Sequence, residues 1–455
     1  MSSGSQNQPS RKIRLGYFHQ PVGRHPSAWR RPEAEGHPED AAWAIRVARK
    51  VEAGLFDVFF LADGLVGPNP HEQGKAGGLE PLTLLGALAA STSNIGLVGT
   101  ISTTFSEPFN VARMLASLDH ISSGRSGWNV VTSQSDRAAQ NFGQERLLDH
   151  AERYARSAEF VDVVKKLWDS WDDGALVLDK GRGAFIEPAR IREVNHKGRF
   201  FSVRGPLNVS RPPQGHPVIF QAGSSGDGIA LAATKADIAF TAQDTIEDAL
   251  SYREALRTAA AASKPGSPGP LVFPGVMPVV GRTHREAVEK FAALQENTDI
   301  AAGIRQLSGR WGYDLSRYDL DGPVPDPGTN VHGQSRVQLL LKKARAEGYR
   351  LRDLAALAIA SHGHRIIVGS FEEVADDLEY WFESGAADGF NIIPASMPDG
   401  VDDFVELVVP ELQCRGLYRT AYEAKTLRGL LGLPSPRRQA SGDYSGHRAA
   451  RAPVA

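Results

Sequence analysis

The sequence predicts an α/β protein, a (β/α)8 TIM barrel carrying two insertions. Three observations predict it. Eight short apolar runs alternate with stretches of helical period, the signature of βα units. The runs are apolar without alternation, as expected of strands buried on both faces of a parallel sheet. Eight units are the number that closes into a barrel and leaves no open edge.

The first run is Ile13 to Phe18, followed by a helix from about Asp40 to Gly54 and a second strand from Asp57 to Asp63. Glu80-Pro81 opens a helix running through Leu82 to Ala90, because proline suits a first helical turn. Ile95 to Thr100 is the third strand, Pro108 to Ile121 the third helix, and Gly127 to Thr132 the fourth strand. After Asp149, Phe160, Val163, Val164, Leu167, Trp168 and Trp171 recur at helical spacing, so one face of a long helix packs on the barrel. Pro217–Gly223, Asp237–Thr241, Leu271–Val280 and Gly389–Pro394 are strands five to eight, and a helix from about Val401 to Arg415 closes the last unit.

Two intervals break the repeat. Within 173–216, Gly198–Arg204 and Pro206–Ser210 read as an added hairpin; within 298–365, the Gly/Pro/Asp-rich loop Asp319–Ser335 reads as a lid, followed by a helix from about Arg336 to Glu347. The polar leader 1–12 and the Arg/Ser/Ala/Gly-rich tail 434–455 are expected to be disordered, leaving 13–433 as one domain.

Composition narrows the partners. A net charge of −2, with no run of like charge, gives no attraction for nucleic acid or anionic membranes. No stretch approaches the ~20 apolar residues of a membrane span. The lone cysteine, Cys414, forms no internal disulfide. A cytoplasmic protein acting on a small molecule is the expectation.

Barrel sites lie at the C-terminal ends of the strands, which nominates Phe18, His19, Asp63, Thr100, Ser102, Asn129, Thr132, Gln221, Ser224 and Thr241. Gly223-Ser-Ser-Gly-Asp-Gly228 sits between a strand and a helix, where backbone N–H groups and the helix dipole suit a phosphate. Two other readings of it stay open: a tight turn capped by Ser225, and a Rossmann site with Asp244 as the ribose acid. Four βα units precede the turn, which favours a mononucleotide phosphate. His150 and Tyr154, one helical turn apart, share a face at the start of the long helix. Asp63 ends a run so apolar that its carboxylate needs a partner, whether a ligand or the following loop. His362-Gly-His364 lacks the accompanying ligands of a metal site, no metal is expected, and no nucleophile elbow is present.

Asp119-His-Ile-Ser-Ser-Gly-Arg-Ser-Gly-Trp-Asn-Val-Val-Thr-Ser133, His150-Ala-Glu-Arg-Tyr154 leading to Leu167-Trp-Asp-Ser-Trp171, Val368-Gly-Ser370, and Gly385-Ala-Ala-Asp-Gly-Phe-Asn391 together resemble the bacterial luciferase-like flavin monooxygenase superfamily. The branch is that of nitrilotriacetate and EDTA monooxygenases, dibenzothiophene-sulfone monooxygenase and pristinamycin IIA synthase. The resemblance runs from about Ile13 to Leu433. It implies a TIM barrel that takes FMN as FMNH2 from a separate NAD(P)H:flavin oxidoreductase and uses O2 to oxygenate a small organic substrate of aminopolycarboxylate, organosulfur or natural-product type. It also implies a homo-oligomer, dimer or tetramer.

Carried onto this chain, the family's FMN positions fall on Asp63, Thr100, His150, Tyr154 and Ser224, with Ser225 beside them. Gly23 to Arg30 matches the substrate-side loop. Where the family has Gly-Arg after the phosphate turn, this chain has Gly228-Ile229, so the grip on phosphate leans on His150. Asn129 and Thr100 are the expected donors to charge that develops on oxygen, in a pocket that excludes water. His19, His25 and His332 are candidate acid or base groups on the substrate side. A deazaflavin-dependent oxidoreductase of the same superfamily and a non-catalytic flavin-binding protein are the alternative functions.

Overall fold

The computed structural model describes residues 11–67, 77–326 and 341–436, apart from 343, 347 and 362. Eight parallel strands form a closed ring in it: β1 (Arg14–Phe18), β2 (Val58–Leu61), β3 (Gly96–Ser102), β4 (Ser126–Val131), β9 (Val218–Ala222), β10 (Ile238–Thr241), β11 (Leu271–Gly281) and β13 (Gly389–Ile392). Pairings such as Gly16↔Val58, Thr100↔Asn129, Phe240↔Phe273 and Gly275↔Asn391 run around the ring, and Gly16↔Asn391 closes it. All eight predicted strands are present. The closed order also rules out the open sheet that a Rossmann reading of Gly223–Gly228 requires.

The helices between strands start where the sequence supplies caps. Asp40 accepts from Trp43 N ahead of α1 (Ala41–Ala53), and Glu80 from Leu82 N and Thr83 N ahead of α2 (Pro81–Ser91). α3 (Pro108–Ile121) and α5 (His150–Trp168) bury Val111, Leu115, Phe160, Val164 and Trp168 against the outer faces of β3 and β4, whose Ile101, Trp128 and Val130 complete that layer. A short α4 (Asp136–Gln140) precedes α5. α6 (Gly226–Lys235) and α7 (Ile246–Ser263) cover β9 and β10. Inside the ring, Val58, Val98, Val218 and Ile238 pack with the C-terminal Leu427 and Leu431. Leu427 lies so close to Gly96 that a Cβ there would stand 2.4 Å from its Cδ1, so one end of the barrel is plugged.

Four features depart from expectation. A ninth strand, β12 (Arg365–Ser370), pairs with Val276–Gly281, the half of β11 that projects past the ring. The added hairpin joins β7 (His196–Lys197) to β8 (Ser202–Val203) rather than Gly198–Arg204 to Pro206–Ser210. The reason is Glu159 of α5, whose carboxylate accepts from Arg199 N, Phe200 N and Phe201 N and pins those residues as the turn. A second hairpin, β5 (Leu176–Asp179) with β6 (Ala184–Ile186), precedes it. The closing helix is broken into Asp399–Asp403, a π-helical turn at Phe404–Val408 and Val409–Cys414, because Pro410 has no N–H to continue the i→i−4 ladder.

In the second insertion, the helix Ile300–Trp311 packs on the helix Leu351–Ala360 around Leu307, Trp311 and Leu354. The proposed lid is described only over 319–326, and the helix expected over 336–347 only at 341–342 and 344–346; the rest, with the leader to residue 10 and the tail from 437, lies outside the described residues. Among the described residues, no helix is long and apolar enough to cross a membrane.

Candidate functional site

At the C-terminal ends of the strands the barrel interior turns aromatic. Phe18 stacks on Phe60 at 5.3 Å, and Phe240 meets both, at 5.8 Å and 5.5 Å, with Phe220 5.9 Å from Phe60. These rings form a dry floor. None of them except Phe18 was nominated from the sequence, because in strands apolar on both faces nothing local says which parity points inward.

Asn129 and Thr100 stand on the inward parity of β4 and β3. They are register partners, both nearly inaccessible to solvent. Thr100 Oγ1 donates to Leu61 O at 2.8 Å and accepts from Asn129 Nδ2 at 2.9 Å. Its proton is therefore committed to Leu61, and Asn129 is the member of the pair with donor capacity to spare. Asn129 Oδ1 meets no protein partner. A buried amide oxygen left this way is costly and is tolerated where a ligand supplies the partner.

Asp63 follows β2. Its carboxylate accepts from Gly64 N at 2.8 Å, so the following loop does supply a partner. The residue is open to solvent, yet the rim desolvates the carboxyl group and raises its pKa, with Glu80 adding to the rise and the Gly64 N–H opposing it.

His150, Tyr154 and the Gly223–Gly228 turn come together at one corner of this face. His150 Nδ1 lies 2.7 Å from Asp227 Oδ2, and the His150 and Tyr154 rings are 4.7 Å apart. Ser225 caps α6 by accepting from Gly228 N at 3.2 Å, while Ser224 stands exposed. From α7, Tyr252 Oη donates to Gly223 O at 3.0 Å; burial raises the pKa of this phenol, which stays protonated. A Cβ on Gly223 would lie 2.9 Å from Gln221 Nε2 and 3.6 Å from Tyr154 Oη, which places both side chains against the turn. Gln221 Oε1 is buried without a protein partner. The first N–H groups of α6 have no acceptor within the helix, and this end suits an anion.

The remaining candidates divide. His19 packs against Phe59 at 5.0 Å, in the layer outside the barrel wall, and burial lowers its pKa to about 4. His25 is buried in the Gly23–Arg30 loop, which is anchored over β13 by Arg24 N to Pro394 O and His25 N to Ala395 O; burial lowers its pKa to about 4 as well. His332 and His362 lie outside the described residues. His364 stacks on Phe240 at 5.6 Å. It also crowds Gly275, where a Cβ would stand 2.5 Å from its Nδ1. Among the described residues no group of His, Cys, Asp and Glu is arranged to hold a metal ion.

Known proteins share this architecture. The family described as Luciferase-like monooxygenase matches residues 16–388. N-acetyl-S-(2-succino)cysteine monooxygenase of Bacillus subtilis (strain 168) is 44% identical over 433 residues, covering 94% of this chain and 98% of its own length. Nitrilotriacetate monooxygenase component A of Aminobacter aminovorans is 42% identical over 443 residues, with coverages of 94% and 98%. Among solved structures, riboflavin lyase with modified FMN and riboflavin gives a TM-score of 0.82 at 30% identity, covering 96% of this chain and 100% of that one. The chain belongs to the luciferase-like monooxygenases and is a flavin-dependent monooxygenase.

Proposed function

We propose that the flavin is FMN, that it arrives reduced from a separate NAD(P)H:flavin oxidoreductase, and that its phosphate binds at the α5–α6 corner while its ring lies over the aromatic floor. The observation that carries this reading is the meeting of His150, Tyr154 and the Gly223–Gly228 turn beside a barrel mouth lined by Thr100 and Asn129. The residues present fit the group. The start of α6 offers N–H groups, Ser224 a hydroxyl, and Tyr154 a phenol to a phosphate, while the phenylalanines give the ring an apolar bed.

Bound reduced FMN would supply the electrons with which O2 is activated. The protein's part is positioning. Thr100 fixes the Asn129 amide through one N–H, leaving the other for negative charge that develops on oxygen, and the Phe floor keeps water away from it. Asp63, at the rim after β2, would offer its carboxylate to a bound flavin.

The substrate is a small organic molecule. Similarity to enzymes named for N-acetyl-S-(2-succino)cysteine and nitrilotriacetate favours one bearing several carboxylates. Anaerobic titration of reduced FMN tests the placement: Tyr154→Phe and Ser224→Ala should each weaken binding by about 1–3 kcal/mol, the worth of a charge-assisted hydrogen bond. Parental affinity in both variants would refute it.

A further inference from the structure

We infer that Asp227 sets the affinity of the phosphate site: its carboxylate holds His150 until the flavin phosphate arrives and opposes that phosphate afterwards. The inference rests on the placement proposed above. Asp227 is the only acidic residue in the first turn of α6, and the helix's basic residue, Lys235, is in the last turn, where its Nζ pairs with Asp162 at 2.6 Å. Position 229, next to the turn, is isoleucine. The helix end that is to receive a dianion thus carries a fixed negative charge and no cation of its own.

His150 contacts that end, and the carboxylate already occupies its Nδ1 at 2.7 Å. A carboxylate and a phosphate make the same demand on an imidazole N–H, so they compete for it. The exchange is easy, because the two side chains are 51% and 48% exposed and a contact in that setting adds little stability. The Tyr154 ring, 4.7 Å away, keeps the imidazole in place when Asp227 lets go. A grip weakened in this way suits a carrier that enters reduced and must leave oxidised in every cycle.

Fluorescence titration with oxidised FMN and with riboflavin, which lacks the phosphate, tests the inference on Asp227→Asn and on Asp227→Ser, which loses the same charge by a different side chain. Removing one charge within several ångströms of a dianion should tighten FMN binding by about three- to tenfold at low salt, and less at high salt. Riboflavin binding should stay unchanged, and His150→Gln should remove the part of the gain that runs through the imidazole. If the parent prefers FMN to riboflavin and the Asp227 variants bind FMN no tighter, the inference falls and the phosphate placement stands. Equal tightening of FMN and riboflavin would also overturn it, since the effect would not act on the phosphate. If the parent binds the two flavins alike and neither Asp227 nor His150 variants change this, the placement itself falls, and the inference with it.

Discussion

Replacing Asn129 by alanine should separate catalysis from stability. In the free protein the change removes one hydrogen bond, Asn129 Nδ2 to Thr100 Oγ1, with a net worth of about 0.5–1.5 kcal/mol. Thr100 keeps its own bond to Leu61 O, so no donor is orphaned. The change also removes Oδ1, a buried oxygen without a protein partner, whose burial costs about 1–3 kcal/mol. The two effects offset each other or favour the variant, so urea unfolding should place it within about 1 kcal/mol of the parent, or above it. Turnover should move the other way. A donor aimed at charge developing on oxygen is typically worth about 10²–10³ in rate, and flavin binding should be kept because the phosphate corner is untouched. The assay is substrate-dependent O2 uptake with pre-reduced flavin, beside a flavin titration and a urea melt. Parental turnover would remove Asn129 from the chemistry, and a stability loss above about 3 kcal/mol would make it a structural residue instead.

Other outcomes follow from the same structure. Mixed with NADH or NADPH, FMN and an accepted substrate, the purified chain should turn over negligibly until a flavin reductase is added; NADH oxidation by the chain alone, matching product formation, would refute the two-component reading. His19 and His25 both have pKa values lowered by burial from 6.5 to about 4, so the unfolded chain binds more protons between those values and stability must fall as pH drops from about 6.5 to 4. Each contributes a slope of up to about 1.4 kcal/mol per pH unit, and unfolding of His19→Gln across that window should show a shallower decline. Gly275→Ala would place a Cβ 2.5 Å from His364 Nδ1 and 3.0 Å from Phe240, costing about 1–3 kcal/mol by overpacking and shifting both rings. A urea melt and the KM for substrate should both report it, and a silent variant would show that the barrel mouth is softer than its packing indicates.

The readability of this chain varied with how local the determinants are. Strand positions were legible because a doubly buried strand needs an unbroken apolar run, and Val58–Leu61 or Val218–Phe220 state that in a few residues. β12 escaped because it is only half buried and pairs with an overhang of β11 that no local signal announces. The hairpin in the first insertion was placed some residues late because Glu159, about 40 positions away, decides where its turn lies. The phosphate corner was partly legible: a Gly-Ser turn before a helix and a His/Tyr pair one turn apart each suggest an anion site, but neither indicates that they meet. Nor does the sequence show that Thr100 gives its proton to Leu61, which leaves Asn129 as the donor of that pair.

The sequence by itself determined the class of fold, the order of its strands, the caps of its helices and, through a few extended motifs, the family. These depend on hydrophobic period and side-chain capping, which act within a few residues. Closure of the barrel decided the rest. It chose the inward parity of each strand and so put Phe18, Phe60, Phe220 and Phe240 on the floor while sending His19 behind the wall. It brought Asp227 onto His150 across 77 positions of chain. Such contacts are fixed by register and shear around the whole ring, a property that no single segment carries.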